Sequence, residues 1–403
     1  PLLINGTRFV TPSDLKPFFF KGVVIQHMFV DDVDPLAKSN LEKCKTTAKK
    51  LKDMGANTAL VYRIDPNENH KDCMQEFKDN NIQVLIGLSP ESNQYNSTYS
   101  PQILQNITRT IDEFILYPNT LGYMVWIENN QSFGDKFSHE LQYVIKKSVI
   151  RDIRTYIRKK YQPIILPLLG ANMVYYKDDI NKVKDYLMCG ERVSQPDFLT
   201  ISTFSHCGEL STNDIDALIP RDLTFPMIFS ELGCSAPKRN FEAWKQMVKD
   251  DKLSEALSGG FAYELYGTDS NDYGLISKTG SPPNSTFADN LTKTWESIHP
   301  TLSIKKVERA NYTCPTNFPI EITDSTKDGL MRPPSLDVCN CVVSHSPCIS
   351  TLDDPEKLSK QLTSLCNNDS SKCDQYLGPI TGNFSQCSMM TRISFLVSLN
   401  YNK

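Results

Sequence analysis

Glu128 and Glu231 are the residues whose type and setting point most directly to chemistry. Glu128 closes the run LGYMVWIE and Glu231 closes PMIFSE. Both runs are apolar and β-type, and both pass quickly into loop residues, Asn129-Asn130 in one case and Gly233-Cys234 in the other. Buried strands that each end in an ionisable group place carboxylates at the mouth of a parallel barrel. Two carboxylates facing one sugar ring are the equipment of a glycosidase. A single Glu past a strand is ordinarily its first solvated residue, because loops are where charges sit. Two at corresponding strand ends of one chain favour the chemical reading.

The elements that must carry these carboxylates follow from the alternation of apolar, β-branched runs with longer helical-period segments. Strands are expected at Phe19–Gln26, Thr58–Tyr62, Gln83–Leu88, Leu121–Glu128, Ile164–Leu169, Phe198–Phe204, Met227–Glu231 and Gly259–Leu265. Helices are expected between them, over Pro35–Met54, Lys71–Asn80, Gln102–Leu116, Ser138–Lys160, Phe241–Val248 and Phe287–Ile298. Eight strands with intervening helices give an α/β fold, a (β/α)8 TIM barrel, with the glutamates on the fourth and seventh strands. A doubly wound open sheet is the structural alternative. No G-x-G-x-x-G follows the first strand, so nothing indicates a dinucleotide site.

The chain of 403 residues is long enough for such a barrel, about 250 residues, plus a small appendage. The barrel is assigned to residues 1–319. Residues 320–335 are polar, contain Gly329 and Pro333-Pro334, and are read as a linker. Residues 336–403 hold six of the twelve cysteines, Cys339, Cys341, Cys348, Cys366, Cys373 and Cys387. A module so small has little core, and three disulfides are the expected compensation, with a pairing that spacing does not reveal.

Charge and targeting signals bound the function from outside. A net charge of −4 with dispersed Lys and Arg gives no footprint for nucleic acid. No apolar run approaches the ~18 residues of a membrane span. The chain begins at Pro1, so any signal peptide is taken to have been removed. Nine N-x-S/T sequons occur, at Asn5, Asn96, Asn106, Asn130, Asn284, Asn290, Asn311, Asn368 and Asn383. Together with the cysteines they indicate a secreted, disulfide-bonded glycoprotein. Cys339-x-Cys341 lacks zinc-site spacing and His139-Glu140 lacks the second His of H-E-x-x-H, so no metal and no other cofactor is expected.

The runs GVVIQ, VYRIDPNENHKDCM, WIE, FSELGC and GGFAYELYGTDSNDYGLI, in that order, resemble the fungal β-1,3-glucanosyltransferases of glycoside hydrolase family 72. The cysteine-rich tail is similar to their X8 module, a family 43 carbohydrate-binding module. The resemblance covers nearly the whole chain. It implies cleavage within a cell-wall β-1,3-glucan chain and transfer of the retained piece to another glucan chain. It further implies a retaining mechanism. Glu231 would attack the anomeric carbon, while Glu128 protonates the leaving oxygen and then activates the acceptor hydroxyl, across ~5–5.5 Å between carboxyls. Gln26, Tyr62 and Tyr263, ending the first, second and eighth strands, would line the donor side. It implies disulfides Cys44–Cys73, Cys207–Cys234 and Cys189–Cys314.

Departures from the family pattern fall in the same cleft. Ile127 stands where an Asn would bind the donor's 2-hydroxyl. Gly87 replaces an expected Asp, Leu60 an expected Arg, and Phe204-Ser205-His206 a Tyr-Glu-Trp run. Loss of ~3–4 kcal/mol of transition-state binding slows a reaction ~10²–10³-fold, so weak or absent activity is expected, with a glucan-binding pseudoenzyme as the alternative. His206 is read as a shape substitute for the missing Trp. Trp126 is read either as a sugar-stacking ring or as barrel packing. The tail has no Trp, so a glucan platform there would need Tyr376, Phe384, Phe395 or Tyr401. Wall glucan is the expected partner, the cell surface or wall the expected location, and a monomer the expected state. A glycosylphosphatidylinositol anchor is inferred from the family, because the sequence to Lys403 shows no hydrophobic tail.

Overall fold

A computed structural model of the chain describes residues 2–26, 34–88, 99–126, 136–161, 166–174, 180–204, 208–234, 239–267, 273–276, 285–304, 307–316, 330–350, 355–368, 370–377, 382–384 and 386–401. Two short strands, β1 (Leu3–Asn5) and β2 (Arg8–Val10), form an antiparallel hairpin. Eight parallel strands follow: β3 (Phe20–Ile25), β4 (Thr58–Val61), β5 (Gln83–Leu88), β6 (Thr120–Val125), β7 (Leu168–Val174), β8 (Phe198–Thr203), β9 (Met227–Leu232) and β10 (Leu257–Ala262). They pair in sequence order, and β10 pairs with β3 to close the barrel. The (β/α)8 expectation therefore holds.

Helices α1 (Leu41–Asp53), α2 (Lys71–Asp79), α3 (Pro101–Phe114), α4 (Lys136–Lys160), α5 (Ile180–Met188), α6 (Thr212–Leu218), α7 (Glu242–Lys249), α8 (Asp251–Ala256) and α9 (Ser285–Ser297) connect or follow the strands. Strand alternation divides the apolar residues into two cores. One, between sheet and helices, takes residues such as Val23, Ala59, Val61, Ile86, Val125 and Phe229. The other fills the barrel with Phe20, Val24, Leu60, Leu85, Met124, Phe198, Ile228 and Phe261.

The fifth barrel strand lies later than the expected Ile164–Leu169. Pro167 interrupts that apolar run, lacks an N–H for the ladder and restrains the residue before it, so pairing begins at Leu168. The β1–β2 hairpin was not anticipated, since three-residue strands carry almost no periodicity. It stoppers the barrel. The Phe9 ring meets Phe20 at 4.8 Å and Phe198 at 5.2 Å. Arg8 donates to the carbonyls of Leu257 at 2.8 Å, Ser303 at 3.2 Å, and Ser254. Burial lowers its pKa, partly offset by the charge of Glu255. Where β10 passes β3, Gly259 has φ +90°, and a Cβ there would stand 2.3 Å from the Phe20 carbonyl oxygen. Only glycine fits.

Disulfides pin the periphery. Cys44–Cys73 joins α1 to α2, and Cys189–Cys314 spans 125 residues, both as expected. Cys234 is disulfide-bonded, while its expected partner Cys207 lies outside the described residues. The C-terminal segment carries α10 (Leu336–Ser344), α11 (Pro355–Asn368), α12 (Ser370–Leu377) and α13 (Met389–Tyr401). It contains the bridges Cys339–Cys387 and Cys366–Cys373. Cys341 and Cys348, expected among the bridged cysteines, are free. Cys341 follows Cys339 by two positions on α10, so at ~100° per residue its side chain points away from the bridged face. Tyr376, Phe384 and Phe395 cluster here with ring centroids 4.6–6.2 Å apart. Ahead of α10, Met331 joins the outer barrel core and its N–H donates to Ser148 Oγ at 2.9 Å.

Candidate active site at the barrel mouth

Glu231 reaches the barrel interior through a fault in its strand. Along β9, Phe229 and Leu232 both belong to the outer core, although regular alternation would place them on opposite faces. The ladder shows why. Ile201 pairs with Phe229, but the next residue, Ser202, pairs with Glu231, so Ser230 is a bulge. Ser230 and Glu231 are both left on the inner face, and Ser230 Oγ lies 3.2 Å from Ser202 Oγ. Glu231 is 4% exposed at the strand's C-terminal end. A buried carboxylate so placed is suited to a nucleophile or a charge stabiliser.

Beside it, an aromatic wall rises from β8, the β10 exit and the segment at residue 273. Phe204, 37% exposed, meets Tyr263 at 5.1 Å and Tyr273 at 5.7 Å, both edge to face; Tyr263 and Tyr273 are 5.7 Å apart. The Tyr263 hydroxyl donates to Gln26 Oε1, joining the ends of β10 and β3 as two of the expected donor-side residues. The wall has a mount. The guanidinium of Arg239, almost fully buried, donates to the carbonyls of Tyr273 at 2.6 Å, Leu232 at 3.2 Å, and Tyr263. It also packs 4.8 Å from the Phe241 ring centre. One planar fork thus holds the residue after Glu231 and two rings of the wall in a fixed relation.

The opposite side of the mouth is built differently. Tyr62 follows β4 and Trp126 follows β6, with Gly87 on the intervening β5. The two rings meet at 5.1 Å, and their residues are 5% and 7% exposed. A Cβ on Gly87 would stand 2.4 Å from Tyr62 Cδ1, so the Tyr62 ring occupies the volume that a longer residue would fill. Leu60, in the place of an expected Arg, is wholly buried in the barrel core.

The expected site residues thus divide. Gln26, Phe204, Glu231 and Tyr263 come together, Tyr62 and Trp126 pair with each other, and Ile127, Glu128 and His206 lie outside the described residues. Tyr273 and Arg239 were missed. Tyr273 lies in the GTDSNDYGLI run that carried the resemblance, whereas a lone loop arginine leaves no sequence signal. Among the described residues, no group of three His, Cys, Asp or Glu side chains is arranged to hold a metal.

A closed parallel barrel with an inward carboxylate at its C-terminal rim supplies one of the two carboxyl groups that a glycosidase uses. The family model for glucanosyltransferases, glycoside hydrolase family 72, matches residues 1–299. The chain belongs to this family. The 1,3-beta-glucanosyltransferase gas2 of Schizosaccharomyces pombe is 29% identical over 432 aligned positions, covering 99% of this chain and 91% of the relative. The 1,3-beta-glucanosyltransferase gel1 of Aspergillus fumigatus is 30% identical over 295 positions, 70% of this chain and 62% of that protein. Saccharomyces cerevisiae Gas2p, solved with laminaritriose and laminaritetraose, superposes with TM-score 0.77 over 100% of this chain and 92% of its own at 24% identity. That likeness concerns the fold.

Proposed function

We propose that this chain is a wall-associated β-1,3-glucan-remodelling protein whose transglycosylase chemistry is weakened, with Glu231 as nucleophile and Glu128 as acid and base. The observation that carries the reading is the β9 bulge, which turns Glu231 onto the inner face beside the half-exposed rings of Phe204, Tyr263 and Tyr273. Aromatic faces flanking a carboxylate suit pyranose rings, which present apolar C–H faces and polar rims. In this reading Gln26 and His206 complete the sugar-facing side, and Ile127 adjoins the acid without bonding the donor's 2-hydroxyl.

The weakening is supported by the residues at the barrel mouth and in the core below it. Phe204 brings no hydroxyl to the nucleophile, Leu60 brings no cation, and Gly87 brings no carboxylate. Such losses remove preorganised donors and acceptors that would act on the transition state. They also favour the second reading, a glucan-binding protein without turnover.

Residues 336–403 would form a separate X8-type module after the linker, chiefly supporting the barrel. The protein would act as a monomer at the cell surface or wall, attached through a lipid anchor. Glycans would sit at sequons such as Asn106 and Asn311, which are exposed. No described helix is long and apolar enough to cross a membrane.

Incubation of the pure protein with reduced laminari-oligosaccharides, with products read by mass, tests the reading. Longer and shorter products that vanish in Glu231→Gln support the enzyme. Saturable binding without products supports the second reading, and neither products nor binding removes both.

A further inference from the structure

We propose that Tyr62 and Trp126, seated over Gly87, form an aromatic plug that closes the inner part of the β4–β6 half of the barrel mouth, and that these three residues set specificity by holding glucan above them and against the β8–β10 half. This rests on the glucan reading above.

A sugar-stacking ring must offer an open face. Tyr62 and Trp126 do not, being 5% and 7% exposed, whereas Phe204 across the mouth is 37% exposed. Register explains how the plug is made. Val61 pairs with Ile86, so Tyr62 stands level with Gly87, and Gly87 pairs with Met124, so Trp126 stands two residues beyond that level on the other side of β5. Leu60 and Leu85 lie in the barrel interior, so residues two further along, Tyr62 and Gly87, share that inward face. A side chain at 87 would hold the flanking rings apart. Glycine lets Tyr62 lie across β5, with a virtual Cβ only 2.4 and 2.9 Å from two of its ring carbons, and so reach Trp126 at 5.1 Å.

Beneath the pair the barrel is filled by Leu60, Leu85, Met124 and Phe198, which leaves the rings no lower position. Gly87 is therefore a positioning residue that acts through Tyr62. A carboxylate restored at 87 by itself would displace the ring before it could meet a sugar hydroxyl.

The full-length chain, Trp126→Ala and Tyr62→Ala are each titrated calorimetrically with laminaripentaose, and their thermal midpoints recorded. A plug predicts that either truncation raises affinity at least ~10-fold. A fall of that size would show the rings to be a sugar platform, and an unchanged affinity would show that they exclude nothing; either result overturns the proposal. Should Trp126→Ala fail to fold, Tyr62→Ala removes a smaller ring and carries the same prediction. Native binding with no gain in the variants sinks the plug alone. Absence of binding in all three sinks the glucan reading and the plug with it. Gly87→Ala tests the seat. It should lower the midpoint and alter laminaripentaose affinity in the native background and change neither in Tyr62→Ala, and equal effects in both backgrounds would refute the seating.

Discussion

The two halves of the barrel mouth differ in what holds them. On the β4–β6 side, the buried rings of Tyr62 and Trp126 close over a glycine. On the β8–β10 side, a buried guanidinium and a strand bulge hold a carboxylate and three partly exposed rings in place. Packing makes a surface that does one thing, which is to exclude. Directional donors keep polar and aromatic groups at fixed angles without burying them. A barrel that retains the second arrangement and fills in the first keeps one wall of a sugar cleft.

The comparison breaks most sharply at Glu231. If reaction chemistry survives, Glu231→Gln should reduce transfer from reduced laminari-oligosaccharides at least ~10³-fold. The thermal midpoint should stay within ~2 °C, because the amide is isosteric and the bulge is a backbone feature. A variant that keeps its products would place the nucleophile elsewhere.

Much of this division was legible beforehand, and the illegible parts share a cause. Eight apolar runs mark the barrel because each strand must be buried on both faces, and the run displaced furthest was the fifth, expected at Ile164–Leu169 and found past Pro167 at Leu168–Val174. The end of β9 was legible as a place for a carboxylate, since Glu231 interrupts an apolar run. That it points inward was not, because the Ser230 bulge depends on pairing with Ser202 and not on local sequence. Gly87 was visible as a departure but not as a seat, which exists only once Tyr62 and Trp126 are brought to flank it. Arg239 bonds backbone carbonyls, and these leave no trace in side-chain identity. Cys341 and Cys348 fell outside the expected bridges for a related reason: counting cysteines does not say which helix face each occupies.

Arg239→Met should affect the open half next most strongly. Methionine keeps apolar contact with Phe241 but leaves the carbonyls of Leu232, Tyr263 and Tyr273 without this donor. The carbonyls of Leu232 and Tyr273 keep the amides of Tyr263 and Glu264 as donors, so at ~1.5–3 kcal/mol for a hydrogen bond to a charged group a loss of about 2–3 kcal/mol in urea unfolding is expected. Arg239→Lys should recover part of it, since one ammonium cannot span all three oxygens in plane. A loss below ~1 kcal/mol in Arg239→Met would mean that the wall is held by packing, like the other side.

Tyr273→Ala should leave stability nearly intact, because the ring is half-exposed, yet weaken laminaripentaose binding ~10-fold by calorimetry. Unchanged affinity would remove Tyr273 from the sugar-facing wall and leave Phe204 and Tyr263 as its rings.

The smallest expected effect lies behind the sealed half and concerns pH. His70, fully buried at the start of α2, directs Nε2 to Asp34 Oδ2 at 2.8 Å and Nδ1 to Glu113 Oε1 at 3.1 Å. Glu113 also accepts from the Tyr117 hydroxyl at 2.7 Å, and Asp34 from the amides of Leu36 and Asp65. Both ring nitrogens face carboxylates, so only the imidazolium can donate to both. Burial alone would lower the His70 pKa, but the hydrogen bonds and charges of Asp34 and Glu113 outweigh it and raise the value above 6.5. A folded pKa above the unfolded one gives a contribution that is complete below about pH 6.5 and is lost as pH rises through the raised value. Thermal midpoints measured from about pH 5 to pH 9 should therefore fall on the alkaline side more steeply for the native chain than for His70→Gln, whose side chain does not titrate. Parallel curves would mean that His70 is held as a neutral ring, with one nitrogen turned against a carboxylate oxygen.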